Sequence, residues 1–219
     1  MGTLNGKTAI VTGSSRGIGA ETAQLLAAEG AAVVINYRAK APRANKVVKA
    51  IEAAGGRAVA VQADLTEESG RAALVSAALE NFGSLDVLVL NASGGMESDR
   101  GEDYALKLNR DAQLGMLDAA SAVMGEGSRV VFVTSHQAHF IDSVATMDAY
   151  EPVARSKRAG EVALLERVPA LAQKGISFVV VSGDMIEGTI TATLLDRAEP
   201  GAIEAQSSSL PMNASALSE

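Results

Sequence analysis

Residues 12–19, Thr-Gly-Ser-Ser-Arg-Gly-Ile-Gly, set three glycines between a short apolar run, Thr8-Ala9-Ile10-Val11, and a helical pattern from Ala20 to Glu29. Strand, glycine-rich turn and helix in that order make a phosphate site. Gly13 permits a sharp exit from the strand, Gly17 removes a side chain where backbone must approach a ligand, and Gly19 lets the helix pack closely on the sheet. The first N–H groups of the helix and the positive end of its dipole then face an anion. A tight turn with no ligand is the plainer reading of a glycine triplet; the strand and helix on either side favour a nucleotide.

The rest of the chain repeats the alternation. Apolar runs of strand length fall near 7–12, 31–36, 57–62, 85–90, 128–134 and 176–182, with helical patterns near 17–29, 41–54, 67–81, 99–124 and 152–173. Continuous runs such as Val87-Leu88-Val89-Leu90 and Phe178-Val179-Val180-Val181 suit strands covered on both faces. The pattern predicts a doubly wound, Rossmann-like parallel α/β sheet in a single domain over 1–197. The tail, 198–219, is rich in Ser, Ala and Pro and reads as loop or marginal helix.

Composition narrows the function. Without cysteine there are no disulfides, thiolate metal sites or cysteine nucleophiles, and two histidines are too few for an expected metal centre. A net charge of −7 argues against a nucleic-acid surface, which needs clustered Lys and Arg. No apolar window reaches membrane-spanning length and the stretch before the first strand is short and polar, so the expectation is a cytoplasmic protein with no membrane partner.

The spacing Thr-Gly-x-x-x-Gly-x-Gly resembles the fingerprint of the short-chain dehydrogenase/reductase family. Gly55-Gly56-Arg57 with Ala63-Asp64-Leu65, then Leu88-Val89-Leu90-Asn91-Ala92, then Val131-Phe132-Val133-Thr134-Ser135 match that family in order, over about residues 5–190. The resemblance implies hydride transfer between a nicotinamide cofactor and a small-molecule carbonyl or alcohol. It implies cofactor contacts from Gly13, Ser15, Arg16, Gly17, Ile18 and Gly19, from Tyr37 and Arg38, from Asp64, Leu65, Asn91 and Ala92, and from Lys157 and Thr189. Family members carry a further strand after the sixth. None is legible here, so the sheet edge beyond 176–182 is expected to lie open or to be covered by a partner.

Cofactor choice turns on Ile35-Asn36-Tyr37-Arg38, where an acid would accept from a ribose hydroxyl and repel a 2′-phosphate. No acid is present, and Arg38 and Arg16 offer charge-assisted, forked contacts to a 2′-phosphate, so NADP is preferred over NAD. Two solvated arginines are the plainer alternative. Asp64 reads equally as a relative of a helix N-cap, with Thr66 and Glu67 opening the next helix, and Thr189 as a cap for a helix at 190–197.

The family's catalytic constellation is a Ser, a Tyr-x-x-x-Lys pair and an Asn. Ser135 and Lys157 match, and Asn109 falls where the family has an Asn linked to a proton relay, with a structural hydrogen bond as its alternative. The position four before Lys157 is Val153, however, and the nearby tyrosine is Tyr150, seven before. Seven helical steps come within about 20° of two full turns but add roughly 4.5 Å of rise relative to four. Pro152 would let Tyr150 precede the helix and fold its hydroxyl back toward Lys157 and Ser135, with its pKa lowered by the ammonium. Alternatively Tyr150 only packs and the acid is lost, or His136 or His139 supplies it.

Two functions follow from these residues: an NADP-dependent oxidoreductase with Tyr150, Ser135 and Lys157 at its centre, or a nucleotide-binding regulatory or structural protein that kept the fold without the chemistry. Small residues on the patterns at 99–124 and 152–173, among them Ala119, Ala120, Ala159, Gly160 and Ala163, predict a homodimer or homotetramer.

Overall fold

The computed structural model describes residues 2–96, 103–143, 145–184, 186, 193–195 and 197. Thr189 and the tail from 198 lie outside them. Six parallel strands run β1 (Thr8–Val11), β2 (Ala32–Tyr37), β3 (Arg57–Gln62), β4 (Val87–Leu90), β5 (Arg129–Ser135) and β6 (Ser177–Gly183), in the sheet order β3-β2-β1-β4-β5-β6. In-register pairs such as Val11 with Ile35 and Val11 with Val89 carry the ladder across the centre. Order reverses between β1 and β4, so the chain leaves these two strands in opposite directions and opens a crevice at their C-terminal ends.

Helices α1 (Gly17–Ala28) and α2 (Ala41–Ala53) cover one face, burying Ala20, Ala23, Ala44, Val47 and Ile51 against Ala9, Val11, Val33 and Ile35. On the other face α3 (Glu68–Phe82) and α5 (Ala112–Ser121) set Leu74, Ala78, Met116 and Leu117 on Ile10, Val34, Leu88 and Leu90. Central strands buried on both sides are what their unbroken apolar sequence requires.

The helix expected over 99–124 is described from Tyr104. It runs as a short α4 (Tyr104–Leu106), a π turn at Lys107–Asp111 and then α5. The expected helix over 152–173 is two, α7 (Glu151–Leu165) and α8 (Val168–Gln173), and α6 (His136–His139), a further short helix, follows β5 directly. Pro169 explains the division: near the start of a helix its missing N–H costs nothing, whereas inside one it breaks the ladder. Among the described residues no strand pairs with the outer edge of β6, where Val179 is 44% and Val181 48% exposed. Among them, too, no helix is long and apolar enough to cross a membrane and no acidic or histidine cluster could hold a metal.

Candidate active site

Hydroxyls and amides of the motif close the glycine-rich turn onto its neighbours. Thr12 Oγ1 accepts from the N–H of Asn91 at 2.9 Å and of Ala92 at 3.0 Å, which ties the β1 exit to the β4 exit. Asn91 Nδ2 donates to the Thr12 carbonyl at 2.9 Å, and Asn36 Oδ1 accepts from Gly13 N–H at 2.9 Å. Ser14 Oγ donates to the Val11 carbonyl at 2.6 Å while accepting from Asn36 N–H at 3.0 Å. Gly13 and Gly17 sit at φ +64 and +57, the left-handed region that side chains disfavour. A Cβ on Gly17 would meet no protein atom, whereas one on Gly19 would stand 2.5 Å from Asn91 Nδ2 and 2.8 Å from the Gly13 carbonyl. Gly19 therefore admits the Asn91 brace, and Gly17 leaves its side of the turn open to the crevice. No side chain caps the start of α1, so its first N–H groups remain available there.

The crevice is a cleft of roughly 780 Å³. Gly13, Ser15, Arg16, Gly17, Ile18 and Gly19 line one part of it; Tyr37, Arg38, Asp64, Leu65, Asn91 and Ala92 line the next, and Ser135, Tyr150 and Lys157 the far end. Of the residues predicted for the site, Thr189 lies outside the described residues and Asn109 lies behind the cleft. Asn109, on the π turn, accepts from Gly94 N–H at 3.2 Å and donates to the Gly94 carbonyl at 2.8 Å and to Ser156 Oγ at 2.9 Å. Its side chain thus clamps the loop after β4 to α7. Asp64 lines the cleft and accepts from Thr66 N–H at 3.0 Å and Thr66 Oγ1 at 2.7 Å; the N-cap residue of α3 is Glu67, so Asp64 does not cap that helix.

At the β2 end, Arg16, Arg38, Lys40 and Arg43 all line the cleft, and none of them forms an ion pair among the described residues. Asn36 and Tyr37 occupy the positions where an acid would repel a second phosphate. This charge arrangement, with the open turn at Gly17 and the uncapped α1, suits a phosphate-bearing ligand.

Tyr150 is the N-cap residue of α7, in right-handed helical backbone rather than an extended lead-in, and its carbonyl accepts from Ala154 N–H at 2.9 Å. From there Tyr150 Oη lies 3.3 Å from Ser135 Oγ. Tyr150 thus starts the helix, and it and Lys157 both line the cleft. Val153, at the family's position, is 4% exposed and faces the apolar cluster of Ala138, Tyr150, Ala154 and Leu195. The expectation of a lowered phenol pKa is corrected: burial pushes Tyr150 above its ordinary value of 10.0, with the Ser135 hydrogen bond pulling weakly the other way. Burial also pulls Lys157 down to about 8. Neither histidine lines the cleft; His139 Nδ1 is 2.7 Å from Glu161 Oε1, on the α7 side of α6.

Sequence reasoning missed Gln137, Tyr104 and Asn36, all of which line the cleft. Gln137 Oε1 accepts from Thr146 Oγ1 and, at 3.4 Å, from Met147 N–H, fixing the segment ahead of Tyr150. No local pattern marks Gln137 or Tyr104.

Fold and cleft together define a doubly wound protein of the dinucleotide-binding kind. A family model described as short chain dehydrogenase matches residues 7–199, and the chain belongs to that family. It is 45% identical over 142 residues to an uncharacterized oxidoreductase of Methylorubrum extorquens, covering 62% of this chain and 57% of that protein. It is 41% identical over 140 residues to a hydroxynaphthalene reductase of Aspergillus fumigatus, covering 60% and 50%. The matched stretch thus spans about half the length of these curated relatives. Among solved structures, a short chain dehydrogenase from Burkholderia cenocepacia in complex with NADP is similar with a TM-score of 0.74 and 38% identity, over 82% of this chain and 74% of that one. A promiscuous reductase that catalyses keto-reduction at C1 during lugdunomycin biosynthesis matches with a TM-score of 0.74 and 32% identity, over 83% and 78%.

Proposed function

We propose that the protein is an NADPH-dependent reductase of small or medium-sized carbonyl compounds, with Tyr150 as the proton donor. The observation that carries this reading is the meeting of Tyr150 Oη and Ser135 Oγ, 3.3 Å apart, in the cleft that Lys157 and the glycine-rich turn also line. NADPH supplies the hydride when bound. The hydroxyls of Ser135 and Tyr150 hold the substrate oxygen from two sides, so its developing negative charge meets two donors. Tyr150, kept protonated by burial, then passes its proton to that oxygen. Lys157 binds ribose hydroxyls, Arg16 and Arg38 take the 2′-phosphate, and Asn109 keeps the loop after β4 and Ser156 in place. NAD is the less favoured cofactor.

A raised phenol pKa favours reduction over oxidation, because the acid form is present throughout the neutral range while the base form is not. The names of a relative and a neighbour, a hydroxynaphthalene reductase and a reductase of keto-reduction in lugdunomycin biosynthesis, make cyclic aromatic ketones the first substrates to try. The test is turnover of NADPH against a panel of ketones, quinones and aldehydes. Oxidation of NADPH coupled to one of them supports the enzyme, and tight NADPH binding with no turnover across the panel supports the regulatory or structural alternative. For the cofactor, Arg38→Asp should weaken NADPH more than NADH by about 2–3 kcal/mol, since a charge-assisted contact is replaced by repulsion; equal losses would defeat the NADP assignment.

A further inference from the structure

We infer that Tyr104, on the far wall of the cleft from β2, is a positioning residue that sets the preference for a 2′-phosphorylated cofactor by holding Arg38. The inference rests on the NADP reading and extends it to a residue that no motif marks. Arg38 follows β2 on an exposed loop, where a long cation would ordinarily sample many rotamers and lose that freedom on meeting a phosphate. Here it is held at both ends. Gln62 Nε2 donates to its carbonyl at 3.1 Å, and its own Nη1 donates to Tyr104 Oη. The guanidinium carbon also lies over the Tyr104 ring, 5.7 Å from the centroid.

Tyr104 can serve as an anchor because it is anchored itself. It opens α4, is half buried, and packs on the main core cluster beside β4 and α5. The arginine gives one N–H to the phenol and keeps four for an anion, while its positive charge is undiminished because the phenol oxygen is neutral. A carboxylate at that place would have cancelled the charge that a phosphate needs. The contact links the residue after β2 to the start of α4, and both partners line the cleft together with Asp64, Leu65 and Ala92, where the adenosine end would lie. Arg16, Lys40 and Arg43 share this region without a comparable tether, which makes Arg38 the pre-organised member of the group.

The test compares NADPH and NADH dissociation constants, read by cofactor fluorescence, in the parent, Tyr104→Phe, Tyr104→Leu and Arg38→Ala. Tyr104→Phe keeps the ring in the core and removes only the acceptor, so its thermal midpoint should stay at the parent value. The expected result is NADPH binding weakened about 5- to 10-fold with NADH within twofold, the scale of one typical hydrogen bond. Tyr104→Leu, which also removes the ring, should weaken NADPH further and still spare NADH. If Arg38→Ala selectively harms NADPH and Tyr104→Phe does not, or Tyr104→Phe tightens NADPH, the role of Tyr104 is overturned while the cofactor reading stands. If Arg38→Ala weakens both cofactors equally, the cofactor reading falls and the role of Tyr104 falls with it.

Discussion

Burial acts on Tyr150 and Lys157 in the same sense, disfavouring the charged form of each. A phenol so treated is a proton donor at neutral pH, and the reverse reaction, which needs the phenolate, should keep accelerating as pH rises past 10. Tyr150→Phe removes the hydroxyl and keeps the ring that packs on Ala138 and Ala154, so turnover should fall by about 10² to 10⁴ while NADPH affinity holds. A parent-like rate in a steady-state assay with an established ketone would exclude Tyr150. Moving the tyrosine to the family's position should not help: Val153 is closed in by apolar neighbours, including Gly95, whose Cβ would lie 3.2 Å from Val153 Cγ2. Val153→Tyr overfills that space and should lower stability by about 1–3 kcal/mol in urea denaturation, without a gain in rate. At this scale the glycine turn was legible because its constraints are local, an open φ at Gly13 and Gly17 and a close approach at Gly19. The Tyr150 to Ser135 contact was open to more than one reading, since spacing along a helix cannot reveal that a residue sits at its cap. Tyr104 and Gln137 act through partners 66 and 9 residues away, which no pattern announces.

Helix α7 gathers most of the chemistry onto one element. Its start presents Tyr150, its second turn presents Lys157, and Gly160 allows contact so close that a Cβ there would lie 2.0 Å from the Asn109 carbonyl. Lys157 makes the helix costly to fold. Its pKa is lowered from 10.5 to about 8, so below pH 8 it is charged in both the folded and the unfolded chain, and the full desolvation cost is present. Between about 8 and 10.5 the unfolded chain binds more protons, and stability rises with pH. Lys157→Met should therefore stabilise the cofactor-free protein at pH 7 by up to about 3 kcal/mol, an advantage that fades toward pH 10.5, while NADPH binding suffers. Equal denaturation midpoints for the two proteins at pH 7 would contradict this. Further along, Glu161, 1% exposed, accepts from Arg158 Nη1 at 2.8 Å and meets His139 at 2.7 Å, tying α6 to α7 behind Ser135. Glu161→Ala should cost about 1–2 kcal/mol, since the hydrogen bonds are lost but Arg158 and His139, 30% and 34% exposed, remain open to water. Element order and strand positions were readable because apolar runs and helical periods repeat along the chain. The π turn at Lys107–Asp111 was not, as one inserted residue scarcely disturbs a helical period, and Pro169 was the one signal for the break before α8.

The whole molecule carries a net charge of −7, yet four cations with no ion pair among the described residues line one end of its cleft. NADPH binding should therefore weaken with added salt more steeply than NADH binding, a difference that titrations between low and physiological ionic strength would display. The outer surface bears on assembly. Val162 and Leu165 of α7 are 45% and 43% exposed, on the side of the helix away from the sheet. Ala159 and Ala163 lie beside them in a groove whose rim carries both signs of charge, Arg110, Arg155 and Arg158 with Asp142 and Glu166. Small residues let two helices approach closely, and a rim of mixed sign can complement itself across a two-fold axis, where each residue of one copy faces its counterpart's neighbour. The same helices carry Asn109 and Lys157 on their inner sides, so packing their outer faces together would also stiffen the cleft. We expect light scattering at micromolar concentration to give a dimer or tetramer of the 22.4 kDa chain. Val162→Arg, on a surface that does not contribute to the core, should leave the thermal midpoint of a monomer intact and shift the mass toward 22.4 kDa. A parent protein that is already monomeric, or a Val162→Arg variant that associates as the parent does, would remove this face of α7 as the interface.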